Sequence, residues 1–330
     1  MEEITCEAVS RLTRTNSRTL WRLDQWRCEY LKKHLYQLPE DLDTTRLSAD
    51  EVHYRTKKLT AQERQSPFSP RREIKFLTNL VSTSVSKVIA CQPGRDAKSL
   101  RNCLKELSPE QLHRVKFVSV DMNPGYFAAI LKMCPQAEIA VDRFHLVQHL
   151  NEAFNIVRKQ EYAKATKRKD CFQQTMLSAG NRFMYLERTD TKSIEEHNML
   201  GKIKLLNDQI HNAMILTDYF HRVLDQKGVQ KFREKLKNWY KLVRESKSSI
   251  YRKFAKMVRC YRRNIEAYIK TGLTTAVSEG INNKIKVLKR MGYGYTNEKA
   301  FKNKILQRCG FLNSTYINTN FMMWHVPTPQ

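Results

Sequence analysis

Three acidic residues, far apart along the chain, stand where carboxylates could bind metal ions together. Asp121 directly follows the apolar segment VKFVSV, Asp50 lies within RLSADEVHY, and Glu279 lies near the start of SEGINNKIKVLKRMGYGY. Hard divalent cations such as Mg²⁺ prefer oxygen ligands, and phosphoryl transfer often uses two such ions about 3.5–4 Å apart. If the fold brings the three carboxylates together, metal-dependent phosphoryl transfer is the chemistry they predict.

The segment around Glu279 predicts a helix with two different faces. One face is apolar and is formed by Val277, Ile281, Ile285 and Leu288. The other face starts at Glu279 and continues, at helical spacing, through Asn282, Asn283, Lys286 and Arg290, with Lys289 as a further cation. A carboxylate followed by amides and cations suits a helix whose start meets a metal and whose length follows a phosphate backbone.

The overall charge of the chain points to a polyanionic partner. Among 330 residues there are 59 Lys and Arg against 33 Asp and Glu, a net charge of +26. Nucleic acid is the commonest partner of so basic a protein, and a ribosome-associated or merely soluble basic protein is the alternative. The hydrophobic content of 41% excludes a disordered basic tail.

Targeting and cysteine patterns predict a cytoplasmic protein that does not use a membrane. No apolar run approaches the ~20 residues that span a bilayer, and the N-terminus MEEITCEAVSRL lacks the pattern of a signal peptide. The eight cysteines form no CxxC pair, which predicts scattered reduced thiols rather than a zinc ribbon.

The first 38 residues predict a DNA-binding segment. Two short helices flank the polar turn at residues 14–16, with Ser17 as a candidate cap of the second helix. In that helix Leu20, Leu23 and Trp26 are expected to point inward, while Arg18 and Arg22 remain available to DNA. This is the layout of a helix-turn-helix, although many unrelated helix pairs have the same pattern.

The order of the following elements predicts an α/β fold. Residues 46–142 read as strand, strand, strand, helix, strand, helix, strand, which indicates a mixed sheet flanked by helices. The polar stretch 59–72 reads as a loop, and residues Ser82 and Thr83 as a hairpin turn. From residue 143 to 270 only helices are predicted, with breaks at Gly201 and Gly228.

Two motifs in the helical region have both a structural and a functional interpretation. Trp239 stands among lysines in KLKNWYKLV, so it either stacks on an unpaired base or fills the helical core. In DRFH, Asp142 and His145 begin a helix just after the strand AEIAV. They either position the catalytic carboxylates without binding metal, or cap the helix, or bind zinc together with His149.

Two blocks of the sequence resemble the ISL-three family of bacterial insertion-sequence transposases. They are VSVDMNPGYFAAILKMCPQAEIAVDRFHLVQHLNEAFNIVRKQ and SEGINNKIKVLKRMGYGYTNEKAF, within a resemblance that runs from about residue 1 to 312. The resemblance implies an RNase H-like mixed sheet flanked by helices, a large all-α insertion and an N-terminal helix-turn-helix. It divides the chain into residues 1–38, 39–142, 143–270, 271–312 and a tail at 313–330.

The family's chemistry implies a role for each of the three acids. Asp50, Asp121 and Glu279 would be the catalytic and metal-binding residues of a DDE transposase, with Glu51 as the alternative to Asp50. The implied cofactor is Mg²⁺ or Mn²⁺, and the implied partner is double-stranded DNA, both transposon ends and target. A homo-oligomer is expected because two ends are handled together, and a nucleoid-associated location follows.

One departure from the family leaves a second function open. Family members usually have a cysteine-rich, zinc-binding segment before the helix-turn-helix, and this sequence starts too late to contain one. The alternative is therefore an inactive or truncated transposase relic that acts only by binding DNA.

Overall fold

The chain divides into two compact units. The computed structural model describes residues 6–34, 37–60, 72–181, 185, 194–292 and 294–312. The first unit joins residues 1–139 to residues 275–330, and the second unit comprises residues 140–274. The chain therefore leaves the first unit, forms the second, and returns to complete the first.

The described helices and strands follow one another in the order predicted from the sequence. The N-terminal helices and the strand region are α1 (Cys6–Thr13), α2 (Ser17–His34), β1 (Arg46–Lys58), β2 (Arg72–Ser82), β3 (Lys87–Pro93), α3 (Ala97–Leu104), α4 (Pro109–His113), β4 (Phe117–Val120), α5 (Pro124–Met133) and β5 (Glu138–Val141). The remaining helices are α6 (Arg143–Arg168), α7 (Cys171–Met176), α8 (Ile194–Leu206), α9 (Asp208–Leu224), α10 (Val229–Glu245), α11 (Ser249–Cys260), α12 (Arg262–Thr271), α13 (Ala276–Met291) and α14 (Glu298–Cys309). No described helix is long and apolar enough to cross a membrane.

The five strands form one mixed sheet with β1 at its centre. The spatial order is β3-β2-β1-β4-β5. β1 pairs with β2 in the antiparallel and with β4 in the parallel direction, and β2 pairs with β3 as the predicted hairpin. Residues 61–71 of the predicted loop lie outside the described residues.

The sheet separates two apolar cores, and β1 contributes alternate side chains to each. Leu47 and Ala49 pack with buried residues of α3 and α5 on one face. Val52 packs with α13 and α14 on the other face. Because successive strand residues point to opposite faces, Asp50 lies on the α13 face and Glu51 on the α5 face.

Helix α2 packs against α14 through a different side from the one predicted. Its buried residues are Cys28 and Leu31. Leu23 and Trp26, which the sequence placed inward, are 51% and 47% exposed, so that prediction is wrong. The cap is Asn16 rather than Ser17, because the Asn16 side chain accepts a hydrogen bond from the Arg18 amide at 2.8 Å.

The second unit is helical, as predicted, and its first helix buries the expected stripe. α6 buries Leu146, Leu150, Ala153, Phe154 and Val157. Gly228, with φ +100°, starts α10 and confirms one predicted break. Gly201 lies inside α8, so the break predicted there is wrong. A glycine costs a helix only about 1 kcal/mol, which the packing of the unit can offset.

Trp239 belongs to the core of the second unit, which corrects its assignment to DNA binding. Its side chain is 0% exposed, and its ring centroid lies 4.7 Å from that of Phe220. The indole Nε1 donates to the carbonyl oxygen of Leu216 at 2.9 Å. Both the ring and its N–H group are thus occupied inside the protein, so no base can stack on Trp239.

The burial of Trp239 predicts a large loss of stability on truncation. We expect Trp239→Ala to lower the free energy of unfolding of the helical unit by about 3–5 kcal/mol, since it leaves a cavity and removes the buried hydrogen bond to the Leu216 carbonyl. Urea unfolding followed by circular dichroism measures this loss. Tyr240→Ala, at the partly exposed neighbouring position, is the control and should cost less. Equal losses for the two variants would contradict the burial of Trp239.

The ion pair between α2 and α14 predicts a pH-dependent contribution to stability. Asp24 Oδ2 lies 3.0 Å from Lys304 Nζ. Burial alone would raise the pKa of Asp24, but Lys304 and Arg27 outweigh burial and lower the pKa below the ordinary value of 3.8. A lowered pKa means that the stabilisation is present above pH 3.8 and is lost as the pH falls through the folded value.

We therefore expect Asp24→Asn to destabilise the protein by about 1 kcal/mol at pH 7, because both side chains of the pair are 21% exposed and solvent screens it in part. The difference from the unmodified protein should disappear in urea unfolding at a pH below the lowered pKa. Glu29→Gln, which removes the more exposed pair with Lys299, is the control and should have a smaller effect. A cost of Asp24→Asn that does not change with pH would show that the ion pair is not its cause.

Candidate active site

The parallel pairing of β1 with β4 places two aspartates side by side. The last residue pair in that register is Ala49 with Val120. Asp50 within β1 and Asp121 directly after β4 are the next two residues, so the register places them beside each other at the point where β4 ends. Residues at the carboxyl end of a parallel strand commonly form the sites of open sheets.

Helix α13 lies over this point and is attached to β1 by one buried and one partly buried contact. The hydroxyl groups of Ser278 and Ser48 are hydrogen-bonded to each other. Four residues further along, Asn282 Nδ2 donates to Asp50 Oδ2 at 2.8 Å. These contacts flank Glu279 in the sequence, so they hold the first turn of the helix, and Glu279 with it, on the Asp50 side of the sheet.

Asn282 is also hydrogen-bonded to the side-chain amide of Asn79, on the neighbouring strand β2. Its Oδ1 accepts a hydrogen bond from Asn79 Nδ2 at 3.0 Å. Asn79 is 0% and Asn282 4% exposed, so neither amide can exchange these partners for water. The chain Asn79–Asn282–Asp50 therefore fixes one carboxylate oxygen of Asp50 relative to α13.

The two aspartates also accept hydrogen bonds from the backbone. Asp50 Oδ1 accepts from the Glu51 amide at 2.8 Å, and Asp121 Oδ1 accepts from the Met122 amide at 2.6 Å. Each bond limits the rotation of its carboxylate group. The two carboxylates are thereby held in place on a partly exposed surface.

The pKa of Glu51 is affected by burial and by the negative charge of the two aspartates. Burial first, and then the charges of Asp50 and Asp121, raise the pKa of Glu51 above its ordinary value. On its own face of the sheet, Glu51 Oε2 accepts a hydrogen bond from the Tyr126 hydroxyl at 3.3 Å. The Tyr126 hydroxyl also lies 2.9 Å from Thr78 Oγ1. Glu51 is thus directed toward α5 and away from α13.

The three predicted acids suit a hard divalent cation in their chemistry and their placement. All their donors are carboxylate oxygens, which Mg²⁺ and Mn²⁺ prefer, and a cation would relieve the charge that acts on Glu51. Glu279 is exposed on the first turn of α13. Across the described residues, however, no group of three or more His, Cys, Asp or Glu side chains is already close enough together to hold a metal ion.

The polar face of α13 differs from the predicted one in two of its residues. Asn282 is buried against Asp50, so its assignment to DNA contact is wrong. Lys289 Nζ lies 3.4 Å from both Nδ1 and the carbonyl oxygen of His53. The Lys289 ammonium group therefore contacts β1. Asn283, Lys286 and Arg290 are exposed, as a DNA-facing surface requires.

The DRFH motif lies in the second unit, at the start of α6. Asp142 occupies the cap position and is 3% exposed, but its side chain makes no capping hydrogen bond, so the capping interpretation is wrong. His145 contacts the ring of Phe144. His149 Nδ1 lies 3.3 Å from Oε2 of Glu152, a neighbour on the same helix.

Sequence reasoning missed the roles of Asn79 and Asn282. Asn79 interrupts the apolar strand FLTNLV, and such a polar residue in a buried strand is a usable signal of a specific partner. Asn282 was recognised only as part of a polar face. It lies at the border between the two faces of α13, where helical spacing alone does not decide between burial and exposure.

The buried amide chain predicts different effects for two adjacent asparagines. Asn282→Ala leaves the Asn79 amide and one Asp50 oxygen without their partner, so we expect a loss of about 1–3 kcal/mol in urea unfolding. Asn283→Ala, at the exposed neighbour, should change the free energy of unfolding by less than about 0.5 kcal/mol. If both variants unfold alike, the amide chain does not hold α13 on the sheet.

Comparison with known proteins gives a consistent result. A family of transposases matches residues 67–305, which is more than half of the chain and includes Asp121 and Glu279. The transposase for insertion sequence element IS1001 of Bordetella parapertussis is 26% identical over 238 residues, covering 72% of this chain and 58% of that protein. The transposase for IS1557 of Mycobacterium tuberculosis is 21% identical over 250 residues, covering 70% of this chain and 56% of that protein.

The chain thus spans little more than half the length of these curated relatives. Asp50 precedes the matched range, so its place beside Asp121 rests on the strand pairing alone. The match covers the β2–β5 region, the helical unit and α13, and it therefore includes two of the three acids of the candidate site, Asp121 and Glu279. The chain belongs to the ISL-three family of insertion-sequence transposases.

Proposed function

We propose that the chain is a DDE transposase that cleaves the ends of its own insertion sequence and joins them to target DNA. Its catalytic acids are Asp50, Asp121 and Glu279, on an RNase H-like sheet that the helical unit interrupts. The observation that carries this proposal is the hydrogen bond from Asn282 to Asp50. This bond joins β1, which carries Asp50, to α13, which carries Glu279, and it lies beside Asp121.

The same geometry supports Asp50 rather than Glu51 as the first acid. Asp50 shares the α13 face with Ser278 and Asn282, whereas Glu51 is hydrogen-bonded to Tyr126 on the opposite face. Asp50, Asp121 and Glu279 would hold Mg²⁺ or Mn²⁺, which when bound would supply an activated hydroxyl nucleophile and a stabilised leaving oxygen. Asn282 orients Asp50 and does not contact DNA, because its side chain is buried.

The DNA contacts are proposed from exposed polar and basic residues. Asn283, Lys286 and Arg290 continue from Glu279 along one exposed face of α13, which suits a DNA backbone that leaves the catalytic site. Arg18 and Arg22, exposed on α2, serve the recognition of double-stranded transposon ends by a helix-turn-helix. The need to handle two ends together favours a homo-oligomer.

Asp142 and His145 are proposed as positioning residues rather than metal ligands. Asp142 is buried at the start of α6, directly after β5, so its carboxylate is fixed in place. We expect His145→Ala to lower the cleavage rate without a matching loss of melting temperature and without a change in the Mg²⁺ requirement.

The central prediction concerns the charge of each acid. We expect Asp50→Asn, Asp121→Asn and Glu279→Gln each to lower strand cleavage by at least about 100-fold, because a neutral amide binds a divalent cation much more weakly than a carboxylate does. DNA affinity should change little, since it comes from lysines and arginines. The assay uses labelled duplexes of the DNA that flanks the reading frame, incubated with the full chain and Mg²⁺.

Glu51→Gln is the matched control, since it neutralises the adjacent carboxylate on the other face of the sheet. This variant should retain most of the cleavage activity. Loss of cleavage in Glu51→Gln but not in Asp50→Asn would reverse the assignment of the first acid. If the unmodified chain binds these duplexes and never cuts them, it is a DNA-binding relic rather than a transposase.

A further inference from the structure

A basic cleft lies between two helices of the second unit. The cleft, of about 710 Å³, is lined by residues of α10 and α11 alone. Its cations are Lys237, Lys241 and Arg244 from α10, and Arg252, Lys256 and Arg259 from α11. We call this surface the α10–α11 cleft.

The six cations form two matching rows. In each helix they stand at positions i, i+4 and i+7, which lie on one face of a helix over a length of about 10 Å. The two helices are joined by a turn of only three residues, 246–248, which folds α11 back alongside α10. The rows therefore face each other, with Arg244 and Arg252 closest to the turn.

Most of this charge is not neutralised by the protein. α11 contains no carboxylate, and Glu245 lies 4.0 Å from Lys241 at the end of α10. Within the described part of the chain, Lys237, Arg244 and Lys256 have no carboxylate at ion-pair distance. By contrast, Arg233 and Arg262, which do not line the cleft, lie 2.7 Å and 3.3 Å from Glu266.

The floor of the cleft is apolar and firmly held. It is formed by Val243, Ala255 and the ring of Tyr240, over which the Arg259 guanidinium lies at 5.2 Å. Directly beneath, Trp239 packs against Phe254 of α11 and ties the two helices together. The two helices that carry the rows are thus packed against each other before any ligand binds, so no helix has to move to form the cleft.

We propose that the α10–α11 cleft binds one strand of a DNA phosphate backbone. Two facing rows of cations, each about 10 Å long, suit consecutive phosphates of a strand that lies between them. The choice of DNA as the polyanion rests on the proposed function. The binding itself uses none of the three acids, so the cleft is a DNA contact separate from the site of cleavage.

The test compares two triple variants with the same change of charge. Lys237→Gln/Lys241→Gln/Lys256→Gln removes three exposed cations of the cleft. Lys227→Gln/Lys231→Gln/Lys253→Gln removes three exposed cations of the same unit that do not line it. Each full-length variant is titrated with a labelled 20-base-pair duplex of random sequence and with one of its single strands, at several salt concentrations.

Each phosphate contact contributes about 0.9 to the slope of log affinity against log salt for duplex DNA, and about 0.7 for single strands. With the form of DNA that the cleft binds, we expect the magnitude of this slope to fall by up to about 2.7 in the cleft variant. In the control variant it should fall by less than about 1. Unchanged circular dichroism and melting temperature confirm that both variants are folded.

The comparison decides the proposal without any cleavage measurement. A larger loss of slope in the cleft variant supports the proposal. The DNA form that shows this loss tells whether the bound strand is part of a duplex or is single-stranded. An equal loss in both variants, or none in either, overturns it because only overall charge then matters. A chain that fails to cleave but shows the specific loss retains the cleft and loses the catalytic proposal.

Discussion

The amide of Asn282 is the contact on which the candidate site depends. It donates to Asp50 and accepts from Asn79, and both of its bonds lie inside the protein. Carboxylates repel one another when a fold places them close together, and burial together with the charges of Asp50 and Asp121 raises the pKa of Glu51. A fixed donor on a facing helix offsets part of this repulsion for Asp50. It also couples the position of α13 to the centre of the sheet.

This coupling links two segments that are distant in the sequence. The central strand forms early in the chain, whereas α13 follows the whole of the helical unit. Ser48 and Ser278, as well as Asn79 and Asn282, pair residues of the sheet with residues of the returning helix. The first unit is complete only when α13 packs on the sheet, and α13 follows the helical unit in the sequence. The helical unit must therefore fold without preventing α13 from reaching the sheet. The helical unit has its own aromatic core, which makes this possible.

Periodicity predicted the elements well, but it could not predict which partner each side chain finds. The order of strands and the buried stripe Ile281, Ile285 and Leu288 follow from apolar spacing, and the structure confirms them. The positions of Trp239, Trp26 and Asn282 do not follow from spacing, because each lies where an amphipathic helix can be either buried or exposed. Whether each is buried or exposed depends on distant elements: Leu216 contacts the buried Trp239, α14 covers the side of α2 opposite the exposed Trp26, and Asp50 contacts the buried Asn282. Asp50 and Glu51 are neighbours in sequence, and only the strand pairing separates their faces.

The location of bound metal tests the central claim most directly. Crystals of the full chain grown with Mn²⁺ and DNA would show the ions by their anomalous scattering, independently of any activity. The account predicts anomalous peaks between the carboxylates of Asp50, Asp121 and Glu279, with Asn282 still bonded to Asp50. Peaks held by Glu51 instead of Asp50, or Mn²⁺ bound only at Asp142 and His145, would contradict it.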